Sequence, residues 1–252
     1  MRLRRLAAYV RPSLGRTPVR YGEGVTTDLR TRLGAPTLRA PLPVVAPLAE
    51  LFAEGGLVRG RTVACSGDAA LSTALALSAA ATRAGSWLAI VDVPALGVAA
   101  AVEAGIAVER IVLAQPPRAS REWITTVAAL VEGFDVLIVA PPASLSASDA
   151  RRLQTRITAR QAVLIVVELP TLSSPASSDV FALDLFAADL DVHADTVAWS
   201  GIEQGGSHIT QRTVQVRCAG RRCASPRERT IMLPCSTSSG TPSPCSTPPR
   251  VS

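Results

Sequence analysis

The chain of 252 residues has no lysine, so all 26 of its Lys-plus-Arg residues are arginines. That absence excludes a Schiff-base lysine, a Ser-Lys dyad and a phosphate-binding loop with its usual lysine. Histidine is nearly as scarce. The only two, His193 and His208, make a His-rich metal site or a His-based triad a poor expectation. Aromatic residues are 4% of the chain, so any core must be built from Ala, Val and Leu. The five cysteines are an odd number and mostly late in the sequence, which does not suit a disulfide framework. No uninterrupted apolar run reaches the roughly 20 residues of a membrane span. The basic opening MRLRRLAAYVRPSLGR is broken by Arg11 and Pro12 before it reaches signal-peptide character. A cytoplasmic location is expected, in keeping with unpaired thiols.

The net charge of +6 conceals a partition. Residues 1–40 hold nine arginines against Glu23 and Asp28, and residues 217–252 hold six against Glu228. The stretch between them carries more acid than base. An acidic body with basic ends is one pattern of nucleic-acid or acidic-partner contact, and equally the pattern of solvated tails in an arginine-biased chain. Residues 1–40 are expected to form a poorly ordered basic arm, 41–233 a folded core, and the Ser/Thr/Pro-rich 234–252 a disordered tail.

Within 41–233, short aliphatic runs alternate with helical segments. Strands are expected at Arg61–Ser66, Trp87–Asp92, Arg110–Ala114, Phe134–Ala140 and Ala162–Glu168. Helices are expected at Pro47–Phe52, Asp68–Ala84, Ala95–Ala104, Ser120–Glu132 and Ser146–Arg160. Continuous aliphatic strands separated by helices imply a mostly parallel sheet covered on both faces, an α/β fold. Asp191–Trp199 and Thr210–Arg217 alternate instead, and are expected to add a short antiparallel C-terminal extension.

Strand, glycine, helix is the geometry in which a helix N-terminus cradles phosphate. Set against G-x-x-x-x-G-K-[ST], the segment VACSGDAALSTALAL keeps only Gly67. Ser72 replaces the second glycine, Thr73 the lysine and Ala74 the metal-binding hydroxyl. Asp68 adds negative charge where phosphate would lie. The strand FDVLIVA ends at Ala140 rather than at a carboxylate, and Asp135 stands near its wrong end. A degenerate nucleotide-binding core and a plain α/β core both accommodate this pattern. No cofactor and no metal is expected.

The order of elements resembles the core of RecA-like recombinases. The resemblance rests on WLAIVDVPALGVAAAVEAGIAVERIVLAQP, with Asp92 ending a strand, a helix, the Gly105-Ile106 turn, and a strand running into Gln115-Pro116. Val93, Pro94 and Ala95 stand where that family carries its catalytic glutamate. Within the RecA-like proteins the chain looks most like the actinobacterial ImuA-prime type of mutasome accessory protein, through LPVVAPLAELFAEGGLVRGRTVACSGDAALSTALAL and the ending WSGIEQGGSHITQRTVQVRCAGRRCASPR. The resemblance implies a non-catalytic accessory role in DNA-damage-induced mutagenesis and translesion synthesis. The partners it implies are an ImuB-like inactive Y-family polymerase homologue and an error-prone C-family polymerase.

Other features carry weaker readings. Cys218 and Cys223 have basic neighbours that would lower a thiol pKa, yet two thiols alone do not make a zinc site. Asp179, Asp184, Asp189, Asp191 and Asp195 read as a solvated or partner-facing acidic run. Arg151, Arg152, Arg156 and Arg160 read as the solvent face of an amphipathic helix, with phosphate tracking as the alternative. His208 lies in a glycine-rich turn and carries no assigned role. Trp199, Arg217, Arg221 and Arg222 are candidate partner or DNA contacts, with Trp199 either an interface anchor or a core residue. Three functions compete: a non-enzymatic scaffold, a DNA-binding module using the basic termini, and a divergent NTPase.

Overall fold

The computed structural model describes residues 39–94, 96–117, 119–169, 185–201, 211–221, 223 and 225–235. Ten strands and five α-helices follow one another along them. A two-stranded antiparallel ribbon pairs β1 (Leu42–Pro43) with β2 (Gly56–Leu57) around α1 (Ala46–Ala49). The main sheet begins with β3 (Thr62–Ser66), followed by α2 (Ala70–Arg83), β4 (Leu88–Val91), α3 (Val98–Glu103) and β5 (Ile111–Ala114). After these come α4 (Ser120–Leu130), β6 (Val136–Val139), α5 (Ala147–Arg160) and β7 (Val163–Val167). Three longer strands close the sequence of elements: β8 (Leu190–Ser200), β9 (Gln211–Ala219) and β10 (Arg227–Leu233).

The main sheet has eight strands in the order β10-β9-β8-β3-β7-β6-β4-β5. Strands β3 to β8 run parallel, and β9 and β10 are each antiparallel to the strand before them. The expected α/β architecture with an antiparallel C-terminal extension is therefore present. β10 is an addition, because its charged opening Arg227-Glu228-Arg229 disguises the alternation that follows. The helix α3 is shorter than expected and starts at Val98, with extended Gly97 as its N-cap. Pro234 and Cys235 also continue onto the core, where Cys235 is buried, so the folded part reaches past residue 233. The basic arm before Arg39 and the tail after Cys235 lie outside the described residues.

Period-two alternation divides the sheet into two packed faces. Val63, Cys65, Leu88, Ile90, Val136, Ile138, Val163, Ile165 and Val167 meet α1, α2 and Ala101 of α3 on one side. Ala89, Val91, Leu137, Val139, Leu164 and Val166 meet α4 and α5 on the other, around fully buried Trp123. The Ala-rich α2 lies deepest. Ser78 and Thr82 return their hydroxyls to the carbonyls of Ala74 and Ala79, both at 2.9 Å, so these two are buried with their hydrogen bonds satisfied. α5 carries its own start signal: the Ser146 hydroxyl accepts from Asp149 N–H at 3.2 Å.

Asp135 does lie at the end of β6 away from the phosphate-loop-like turn, and its role there is structural. Its carboxylate accepts from Arg59 Nη1 at 2.9 Å and from the Trp87 backbone N–H at 3.1 Å, tying β2's exit and β4's entry to β6. Arg59 and Asp135 are largely buried, with side chains 17% and 31% exposed. Asp135→Ala should therefore lower unfolding stability by about 2 kcal/mol, from the lost charged hydrogen bonds. Urea denaturation followed by circular dichroism measures it, and a change below about 0.5 kcal/mol would contradict this role.

Candidate functional site

In an open parallel sheet, ligands bind beyond the carboxyl ends of the strands. Here that region is occupied by the chain itself. Only Gly67, Asp68 and Ala69 separate β3 from α2. Ala69 N–H donates to the Ala194 carbonyl at 3.0 Å, and Ala70 N–H to Gly67 O at 3.1 Å. The Asp68 carboxylate accepts from Thr196 N–H at 2.7 Å. Gly67 has φ +91°, and a Cβ there would sit 2.3 Å from the Ala194 carbonyl oxygen. The turn is thus stitched to β8 through Asp68 and Ala69, and its Ala69 and Ala70 amides are engaged with protein oxygens.

The three substituted phosphate-loop positions fall inside the helix. Ser72, Thr73 and Ala74 belong to α2, which has already begun at Ala70. Thr73 and Ala74 are fully buried, and the Thr73 hydroxyl has no hydrogen-bond partner among the described residues. Ala140 at the end of β6 is buried as well, and Asp92 just past β4 is buried with φ +59°. Among the described residues no cluster of three or more metal-ligating side chains occurs.

The candidate contact residues separate. Arg217 gives its Nε to Glu228 at 3.1 Å, and Arg221 hydrogen-bonds the Ala187 carbonyl, so both are engaged within the chain. Arg222 and His208 lie outside the described residues. Trp199 is not a core residue: it is 52% exposed, with the Arg212 guanidinium 5.4 Å from its ring centroid. A β-bulge explains where it points. The pairing of β8 with β9 shifts register between Thr196 and Ala198, so Val197 is an extra residue. Before the bulge, Asp191, His193 and Asp195 lie on the face away from α2. After it, Trp199 pairs with Arg212, which shares the α2 face with Val214 and Val216. Trp199 then lines a groove of about 290 Å³ with Leu75, Ala76, Ala100, Arg212 and Leu233. The sequence signals aromatic exposure only weakly, and it does not signal the bulge at all.

The acidic run is not one surface. Asp189 accepts from Thr62 N–H at 3.1 Å and anchors β3, a structural duty. Asp195 takes part in a row that sequence reasoning misses. Ser66 Oγ lies 2.9 Å from His193 Nδ1, and His193 Nε2 lies 2.8 Å from Asp195 Oδ2. Ser66 and His193 are register partners 127 residues apart, so only the β3–β8 pairing brings them together. The His193 and Asp195 side chains are about half exposed, and the row acts as a cross-strand polar ladder on the side opposite the groove. Asp179 and Asp184 lie outside the described residues. The α5 arginines are exposed as expected, and Arg152, Arg156 and Arg160 pair with Asp149 and Glu132.

Cys218 overturns the expectation drawn from its basic neighbours. Burial pushes Cys218 up to about 12, with Cys223 adding to the rise and Arg227 only partly opposing it. Burial pushes Cys65 up too. At pH 8, Cys65 and Cys218 should react with a disulfide reagent at least about a hundredfold more slowly than partly exposed Cys223, because the thiolate is the reacting form. Mass spectrometry of timed labelling reads the order, and equal rates would contradict it.

Together, the closed β3–α2 turn and the eight-stranded sheet define an α/β domain whose phosphate-loop position is filled by its own backbone. Residues 50–172 match the family model described as MT3502 N-terminal domain, so the core from β2 through β7 is similar to that domain. The match ends before β8, and the antiparallel extension lies beyond it. No curated protein matches the chain. Among the described residues no helix is long and apolar enough to cross a membrane.

Proposed function

We propose that this chain is a non-catalytic RecA-like accessory protein of the ImuA-prime type, acting by protein–protein contact in DNA-damage-induced translesion synthesis. The observation that carries the non-catalytic part is the β3–α2 turn. Its Ala69 amide and Asp68 carboxylate are spent on β8, and the positions for lysine and metal-binding hydroxyl are buried helix residues. A phosphoryl-transfer site depends on positioned cations and donors around the phosphates; this turn carries Asp68 in place of a cation and directs its Ala69 and Ala70 amides to protein oxygens. The mutagenesis role rests on the resemblance of the segments from Trp87 to Pro116 and after Trp199. The partners are an ImuB-like inactive Y-family polymerase homologue and an error-prone C-family polymerase.

The full chain tests the reading. Purified protein should show no Mg²⁺-dependent ATP turnover above buffer and should co-elute with at least one of the two polymerase-family proteins in size-exclusion chromatography. Mg²⁺-dependent turnover, or the absence of any complex at micromolar concentrations, overturns it. Deletion of residues 190–233 is not a clean partner test, since it removes β8, which pairs with β3 and holds the turn.

A further inference from the structure

Among the large apolar side chains most exposed on the described surface, Val98 and Val102 lie on α3 and Trp199 on β8. The two elements flank one groove. Its floor is Leu75 and Ala76 of α2 with Leu233 of β10, its α3 wall is Ala100 and Ala104, and its far wall is Trp199 stacked on Arg212. At about 290 Å³ it sits at the bottom of the roughly 300–1,000 Å³ range of small-molecule pockets, a size suited to side chains rather than a whole ligand.

Two features fix what fits. Ala100, Glu103 and Ala104 of α3 line the groove at i, i+3 and i+4, one side of a helix against which a second helix can pack. Arg212 is a half-sheltered cation in an apolar wall. Its guanidinium makes a long hydrogen bond to Thr196 Oγ1 at 3.4 Å, and burial lowers its pKa while Asp68 opposes the shift. A cation held this way gains from a carboxylate brought beside it. Glu103 on the α3 rim supplies the opposite sign. The groove therefore has an apolar floor and a charge polarity across its width.

We infer that the groove between α2, α3 and the β8–β9 strands docks an amphipathic helical segment of a partner protein. That segment places an aliphatic or aromatic side chain on Leu75 and Ala76, a carboxylate beside Arg212 and a basic residue toward Glu103. The inference rests on the scaffold reading above and assigns that reading its contact surface. Trp199 is the anchor, a role that large aromatic side chains often take at interfaces.

The test uses the full chain and the ImuB-like and C-family proteins as probes, with Kd measured by biolayer interferometry. Ala100→Trp fills the groove from exposed α3 without entering the core, and Arg212→Glu reverses its charge. Ala159→Trp, on exposed α5, is the control. Ala100→Trp and Arg212→Glu should each weaken binding at least tenfold, with Ala159→Trp unchanged and all three melting as cooperatively as the parent chain. A photo-crosslinker at position 100 should capture a partner peptide in which an apolar residue neighbours Asp or Glu. Changing that acid to Arg should restore binding to Arg212→Glu. Partner binding that persists unchanged in Ala100→Trp and Arg212→Glu overturns the groove and leaves the scaffold reading standing. A parent chain that binds neither probe overturns both. Displacement of the partner by a thymidine oligonucleotide, lost in Trp199→Ala, overturns the helix in favour of single-stranded nucleic acid stacking on the tryptophan.

Discussion

Thr73→Lys, the substitution that would restore the missing phosphate-loop lysine, should destabilise the chain by about 4 kcal/mol and confer no ATP binding. Thr73 is fully buried on α2 against the sheet. A lysine there must bury an ammonium without a partner or give up its proton, and its longer stem must be forced into a packed layer. Thr73→Val is the informative companion. It removes a hydroxyl that has no hydrogen-bond partner among the described residues while keeping the shape, and should raise stability by about 1 kcal/mol. Chemical denaturation of both variants, with a fluorescent ATP analogue titrated into each, gives the comparison. A stable Thr73→Lys variant that binds the analogue would mean that the turn can reopen.

Gly67→Ala should cost about 3 kcal/mol, whereas Gly85→Ala should cost about 1 kcal/mol, although both glycines have positive φ. The difference is what a methyl group meets. At Gly67, with φ +91°, the Ala194 carbonyl oxygen is 2.3 Å away and Asp195 Oδ1 is 2.8 Å away. At Gly85, with φ +98°, nothing lies within 4 Å. Strain alone therefore acts at the end of α2, while strain and a backbone collision act together at the start. Urea midpoints for the two variants decide the point, and equal losses would mean that the β3–α2 turn yields more easily than its hydrogen bonds to β8 suggest.

The sheet was legible where burial made the sequence monotonous. VLIV and VLIVV are covered on both faces, so they appear as unbroken aliphatic runs, and the helices between them are set off by glycine or by a serine cap. β10 was not legible, because Arg227 to Thr230 are exposed and only Ile231 and Leu233 face the core. The β1–β2 ribbon has two residues per strand, too few for any period to show. In the candidate site, the loss of lysine and hydroxyl could be read from Thr73 and Ala74. The closure of the turn could not, because it depends on Ala194 and Thr196 of a strand more than a hundred residues away. The Ser66–His193–Asp195 row and the groove depend on register in the same way. A single inserted residue, Val197, decides which side of the sheet Trp199 occupies.

The stitching of the β3–α2 turn to β8 has a consequence for control. A loop that opens and closes around a phosphate can report whether a nucleotide is present, and so can time the attachment and release of other proteins. Here the corresponding segment has one resting arrangement, with Asp68 on Thr196 and Ala69 on Ala194. Under the proposed function, such a scaffold has no internal clock. Its assemblies form and dissolve by mass action, so the amount of protein made and the affinity of each contact set when they exist.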